Sequence, residues 1–84
     1  MNPRVSIEMP VHVYNGFVNK CDQSSRENTI LKNGVVVRRE NPGNTVVVLC
    51  EMIEAQKLLI LASKTYPDAK EHILRAISAA LKSA

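Results

Sequence analysis

Residues 4–10 have the sequence Arg4-Val-Ser-Ile-Glu-Met-Pro10, whose pattern is the clearest sign of secondary structure near the N-terminus. Apolar and polar side chains alternate along this stretch, which predicts a strand with one buried face and one exposed face. Pro10 ends the strand, because proline lacks the N–H that a strand ladder needs but suits the first turn of a helix. The apolar side chains are Val5, Ile7 and Met9, and the polar ones are Arg4, Ser6 and Glu8.

Two segments after this strand fit either a helix or a hairpin. Residues 11–21 place apolar side chains every four positions, as one face of a helix does. They also contain Asn15-Gly16, which is a strong signal for a two-residue hairpin. Residues 29–39 pose the same choice around Asn33-Gly34, which a run of valines follows. β-Branched runs favour strands locally, but tertiary packing can override that preference.

The second half of the chain begins at a loop and predicts two helices. The turn-forming residues Asn41-Pro42-Gly43-Asn44 mark the loop. Residues 45–63 carry apolar side chains at helical spacing, although the valines at 46–48 also suit the end of a strand. Residues 68–84 place apolar side chains on one face and charged ones on the other, which predicts an amphipathic helix.

The composition limits the chain to one small domain. With 84 residues, 45% of them hydrophobic, the chain is too apolar to be disordered and too short for two domains. Its aromatic residues are Tyr14, Phe17 and Tyr66, too few for a platform that stacks single-stranded nucleic acid. Because a short chain buries little surface alone, the apolar run at 46–62 leads us to expect an obligate oligomer.

Several classes of function lack support in the sequence. Cys21 and Cys50 lie among apolar neighbours without CxxC spacing, so we expect reduced core thiols in a cytoplasmic protein. We find no secretory signal and no uncharged apolar run, and therefore expect no membrane association. His12 and His72 lack a second ligand at metal spacing, and no phosphate loop or nucleophile motif is present. We therefore expect no metal, no cofactor, no catalytic residue and no enzymatic activity.

The order of strand, proline, helix face, polar break and serine cap resembles the ribbon-helix-helix family of DNA-binding proteins. In that family the strand pairs with its twin from a second chain, and the two-stranded ribbon enters the major groove. The resemblance therefore implies a homodimer or tetramer that binds double-stranded DNA. The residues that carry it are the strand 4–10, then Val13, Phe17 and Cys21, then Ser25-Arg26-Glu27 and Ile30-Leu31.

The same resemblance implies which side chains contact the DNA. Arg4 can donate two hydrogen bonds to guanine, and Ser6 can donate or accept one. Glu8 departs from the family pattern, because phosphate repels a carboxylate, although Glu8 can accept from a cytosine amino group. At the start of the second helix, Ser25 and Arg26 offer N–H groups and a cation to a phosphate.

The first interpretation of the whole chain is a mainly α fold with one short N-terminal strand, forming a ribbon-helix-helix dimer with a C-terminal helical hairpin. Residues 1–40 are its DNA-binding region, 41–44 a turn, and 45–84 a helical oligomerisation region. More narrowly, the chain resembles accessory DNA-binding proteins of conjugative plasmid relaxosomes and phage repressors. This implies transcriptional repression or plasmid and phage DNA processing. It requires the basic residues to share one surface, namely Arg4, Lys20, Arg26, Lys32, Arg38 and Arg39.

The alternative is an α+β fold, an antiparallel β-meander followed by two helices. Residues 35–39 then pair with residues 45–50 across the turn at 41–44. The matching function is a non-enzymatic protein-interaction module, such as a secretion chaperone, a phage accessory protein or an antitoxin-like partner. Its partner would contact residues 45–63, because this segment holds more large apolar residues than a solvated face needs.

Overall fold

The first strand, β1 (Arg4–Pro10), has the alternation that its sequence predicts. In the computed structural model, which describes residues 4–40 and 43–83, Val5, Ile7 and Met9 are 0–1% exposed. Arg4 and Ser6 lie on the opposite, solvent-facing side of the strand. The chain turns at Pro10, and a helix begins at the next residue, because proline fits a helix start but cannot extend a ladder.

The described residues form one three-stranded antiparallel sheet, in the order β1-β3-β2, with helices between and after the strands. The α+β alternative therefore describes the chain better than a mainly α fold with one strand. The elements after β1 are α1 (Val11–Lys20), α2 (Arg26–Leu31), β2 (Val35–Val37), β3 (Thr45–Glu51), α3 (Met52–Thr65) and α4 (Lys70–Ser83), with a short 3-10 helix at Pro67–Ala69.

Strand β3 corrects the prediction of a single helix over residues 45–63. Its valines suit a strand, and it lies between β1 and β2, which supply ladder partners on both sides. The helix starts only at Met52, where Glu51 and Glu54 form a reciprocal capping box. In it, the Glu51 N–H donates to the Glu54 carboxylate at 2.9 Å.

The same strand supplies β1 with a partner from its own chain. The pairing is antiparallel and runs from Arg4 opposite Glu51 to Pro10 opposite Thr45. The expectation that β1 needs a twin from a second chain rested on its being a lone strand. That premise is wrong, because β3 is the partner strand of β1. It was not predicted as this partner, since the apolar spacing of its segment also fits a helix.

Residues 11–21 form a helix despite the hairpin signal at Asn15-Gly16. A Cβ at Gly16 would overlap the ring of Tyr66, which also stacks on Phe17 with the ring centroids 6.4 Å apart. Glycine therefore allows a close approach here and does not mark a turn. The full burial of Phe17 offsets the cost of glycine in a helix, about 1 kcal/mol.

Residues 29–39 contain the end of a helix and then a strand, so each of the two predicted structures is present in part. Helix α2 ends at Leu31, whose carbonyl accepts hydrogen bonds from the Tyr14 hydroxyl at 2.6 Å and from the Gly34 N–H at 3.0 Å. A Cβ at Gly34 would overlap the Val46 side chain. Gly34, in the connection between α2 and β2, thus permits a close approach to β3, and β2 pairs with β3 as the meander predicts.

The helices pack on one face of the sheet and form a single core with it. Both halves of the chain contribute buried side chains, including Ile7, Phe17, Val48, Leu58 and Ile73. Much of the apolar run at 46–62 is buried inside this core, so the run does not by itself require a second chain. Its buried members are Val46, Val48, Cys50, Ala55, Leu58 and Ala62.

The two cysteines are buried and not bonded to one another, as predicted. Burial raises the pKa of both thiols, and the carboxylate of Glu27 adds to the shift at Cys21. For Cys50, burial and then Glu54 raise the pKa to about 11. Both thiols are therefore protonated near neutral pH and poorly nucleophilic.

Candidate interaction surface

The side of the sheet that faces away from the helices is defined here as the open face. It consists of alternate positions on three strands, because successive side chains of a strand point to opposite sides. The register aligns Ser6 with Leu49, and Glu8 with Val47 and Val35. The members of the open face are Arg4, Ser6, Glu8, Val35, Val37, Thr45, Val47, Leu49 and Glu51.

The centre of the open face is an apolar patch formed by Val35, Val37, Val47 and Leu49. Val35 is 64% exposed and Leu49 is 58% exposed, whereas Val37 and Val47 are half-buried. Together with Arg4 and Asn33, these four side chains line one shallow depression. Large apolar side chains gathered on one sheet face are typical of a contact surface.

Glu8 is part of a hydrogen-bonded clamp with Arg39 and Thr45. The Arg39 guanidinium donates through Nε and Nη2 to the two Glu8 carboxylate oxygens, each at 3.0 Å. The Thr45 hydroxyl donates to Glu8 Oε2 at 2.6 Å. Both oxygens of the Glu8 carboxylate are therefore engaged within the chain, and the interpretation of Glu8 as a base-reading side chain stays a prediction. The bond that the Arg39 guanidinium donates, followed by the Thr45 hydroxyl, lowers the pKa of the Glu8 carboxyl.

We expect the clamp to make stability depend on acid pH. Since the folded-state pKa of Glu8 is lowered, its contribution is present above the pKa of the unfolded chain and is lost as pH falls through the folded pKa. Urea unfolding of the wild type and Glu8→Gln at about pH 7 and about pH 3 measures this. At about pH 7 the wild type should be more stable than Glu8→Gln, and this difference in the free energy of unfolding should shrink at about pH 3. A difference that is equal at both pH values would contradict the clamp.

Arg4 and Ser6 lie next to one another on the open face, as their alternation predicts. Both are exposed, and Arg4 lies directly across from Glu51 on β3. Among the described residues, no hydrogen bond or ion pair engages either side chain. The structure thus brings Arg4, Ser6 and Glu8 together on one surface.

Ser25 and Arg26 are placed elsewhere and are engaged within the chain. Ser25 caps α2, since its hydroxyl oxygen accepts from the Asn28 N–H at 3.2 Å and its hydroxyl donates to the Asp22 carbonyl at 2.6 Å. Arg26 lies 3.6 Å from the Glu54 carboxylate on α3. They line a different depression from the one at the apolar patch. The serine cap predicted at the start of the second helix is therefore Ser25, and its oxygen accepts from the helix backbone.

The charges on the open face balance one another. Its members include one cation, Arg4, and two carboxylates, Glu8 and Glu51, and the Arg39 guanidinium reaches the face at Glu8 as a second cation. The apolar patch was not predicted from the sequence, although the valines on either side of the predicted turn at 41–44 were a usable signal. The valines do not show which side of the hairpin the helices leave uncovered.

No family model, curated protein or solved structure matches the chain. The resemblance to ribbon-helix-helix proteins, and to the relaxosome and phage proteins within it, therefore stays a prediction. In the described ranges 4–40 and 43–83, no three His, Cys, Asp or Glu side chains come together to hold a metal ion. None of the helices described is long and apolar enough to cross a membrane.

Proposed function

We propose that this chain is a non-enzymatic protein-interaction module that binds its partner through the open face. The single observation that carries the proposal is the exposure of the apolar patch at the centre of that face. The partner surface is apolar at its centre and carries both signs of charge at its edges. This proposal places the partner on Val47 and Leu49, within the segment 45–63 predicted from the sequence.

Burial of the patch supplies the driving force for binding. Val35 and Leu49 each expose more than half of their surface, and burying apolar area yields about 25 cal/mol per Å². None of the described residues covers these side chains, because the helices pack on the other face of the sheet. A partner that packs on the open face would remove them from water.

The electrostatics of the open face favour a protein over a nucleic acid. A duplex presents a dense row of negative charges, and binding requires a surplus of cations that displaces its counterions. Arg39 is bound to Glu8, and Arg26, off this face, is paired with Glu54. A balanced face instead suits a protein surface, where opposite charges fix register and specificity.

Site-specific photo-crosslinking in cells tests the proposal. A photoreactive residue at position 49 should give one discrete crosslinked protein, which Val35→Lys in the same chain abolishes. The matched control is the same residue at position 57, where Lys57 is exposed on α3. Identical products from both positions, or none from position 49, would overturn the proposal.

Double-stranded DNA is the second candidate partner, because Arg4 and Ser6 lie exposed and adjacent on β1. In this case β1, an edge strand of the sheet, pairs with its twin in a homodimer and enters the major groove. The process served is then transcriptional repression or plasmid and phage DNA processing, as the resemblance implies.

For the DNA candidate we expect Arg4→Ala to weaken specific binding by roughly 1–3 kcal/mol per half-site without loss of folding. Isotherms on mixed-sequence and genomic-library duplexes at low salt measure this, with Lys57→Ala as the control for a cation away from β1. Equal affinities for the wild type and Arg4→Ala, or no binding even at low salt, would remove DNA as a candidate.

A further inference from the structure

We infer that the partner of the open face is a second copy of this chain, packed face to face across a twofold axis. The inference rests on the proposed function and specifies its partner. Its basis is the arrangement of the four charges on the open face, which matches itself under one particular rotation. In a twofold interface the same surface patch must be self-complementary.

The charges alternate in sign around the apolar patch. At one end of the sheet, Arg4 on β1 is positive and its neighbour Glu51 on β3 is negative. At the other end, Glu8 on β1 is negative. The Arg39 guanidinium lies beside Thr45 of β3, since both donate to the same Glu8 oxygen, at 3.0 and 2.6 Å. β1 thus carries opposite signs at its two ends, and β3 has its own Glu51 at one end and the Arg39 guanidinium beside Thr45 at the other.

A twofold axis that lies in the interface and runs across the strands exchanges these ends. β1 then faces β1 of the partner, and β3 faces β3, so Arg4 approaches the partner's Glu8 and Glu51 approaches the partner's Arg39. If the axis crosses β1 at Ser6 and β3 at Leu49, Arg4 lies over the partner's Glu8 and Leu49 over the partner's Leu49. Glu51 then lies over the partner's Val47, the register neighbour of the Glu8 that Arg39 binds. An axis along the strands instead places Arg4 over the partner's β2, whose residues Val35–Val37 carry no acid.

The dimensions of the open face indicate a reversible dimer. Seven residues at about 3.4 Å per residue and three strands about 4.8 Å apart give a footprint of roughly 300 Å² per copy. A standard interface buries about 800 Å² per partner. The dimer is therefore expected at the weak end of the range, in contrast to the obligate oligomer predicted from the sequence.

A charge-swap pair provides the sharpest test of this axis. One variant, Arg4→Glu with Glu51→Arg, reverses the first end, and the other, Glu8→Arg with Arg39→Glu, reverses the second. Each variant alone places like charges against one another, so its self-association should weaken roughly tenfold or more. An equimolar mixture of the two variants restores all four opposite pairs and should dimerise about as well as the wild type.

Sedimentation equilibrium over a concentration series measures these associations, and circular dichroism checks that each variant is folded. This check matters because Glu51 also caps α3. The matched control exchanges an exposed ion pair on α4, Glu71→Arg with Arg75→Glu, and should leave association unchanged. Leu49→Lys, which touches neither the cap nor the clamp, should abolish dimerisation.

The outcomes separate this inference from the proposed function. A wild type that stays monomeric at millimolar concentration overturns the inference, as do folded charge-swap variants that each dimerise like the wild type. If position 49 still crosslinks one other protein in cells, the proposed function stands with a different partner. If it crosslinks neither another protein nor a second copy, both fail.

Discussion

Phe17→Ala is expected to lower the free energy of unfolding by about 3–5 kcal/mol. Phe17 is fully buried on α1, and its ring stacks on Tyr66, which follows α3. Its removal leaves a cavity and also loosens the Tyr66 ring that covers Gly16. The effect should therefore exceed the loss of a single apolar contact.

Urea unfolding followed by circular dichroism measures the Phe17→Ala change, and Asn15→Ala provides the control in the same helix. Asn15 is exposed on α1, so its replacement should leave stability unchanged or raise it slightly, because alanine is the better helix former. A loss below about 1 kcal/mol for Phe17→Ala would contradict the packing of α1 against Tyr66.

The second large effect is expected at Ile7, where alanine should lower the free energy of unfolding by about 2–5 kcal/mol. Ile7 is fully buried at the middle of β1, opposite Val48 on β3. The matched control is Arg4→Ala on the same strand, which faces solvent and should leave the unfolding transition in place. Equal losses for the two variants would mean that β1 does not present Ile7 to the core and Arg4 to water.

The sequence predicted those elements whose pattern fits only one type of secondary structure. The alternation at 4–10 gave β1 and its faces, and the amphipathic segment at 68–84 corresponds to α4, which runs from Lys70 to Ser83. Residue 84 and part of the predicted turn, Asn41 and Pro42, lie outside the described residues. The helix start at Ser25 followed from the chemistry of its side chain, which serves its own helix.

The errors arose where local signals compete with distant contacts. Gly16 indicated a turn but lies within α1, where the Tyr66 side chain approaches its backbone closely. Gly34 does close a turn, but that turn joins helix α2 to β2 and not two strands of a hairpin. The segment 45–51 fits a helix by spacing, and only pairing with two strands makes it a strand. Such information lies in the tertiary structure, and no window of local sequence contains it.

For the candidate site too, the local pattern was predicted and a contact between distant residues was not. The sequence identified the exposed side of β1 and thus placed Arg4 and Ser6 correctly on one surface. It did not identify Arg39 as the partner of Glu8, since the two residues are 31 positions apart and meet across β3. A carboxylate that phosphate would repel is favourable in this clamp, because the Arg39 guanidinium and the Thr45 hydroxyl both donate hydrogen bonds to it.

The pairing of β1 with β3 has a consequence for how the chain is made. The paired residues are separated by 35 positions at Pro10 and Thr45 and by 47 at Arg4 and Glu51. At a synthesis rate of about 5–20 residues per second, residues 4–10 are made seconds before residues 45–51, so β1 lacks its partner strand during that interval. Such long-range pairing slows folding to roughly milliseconds or longer. The nascent chain thus passes through a period in which Val5, Ile7 and Met9 are open to chaperones.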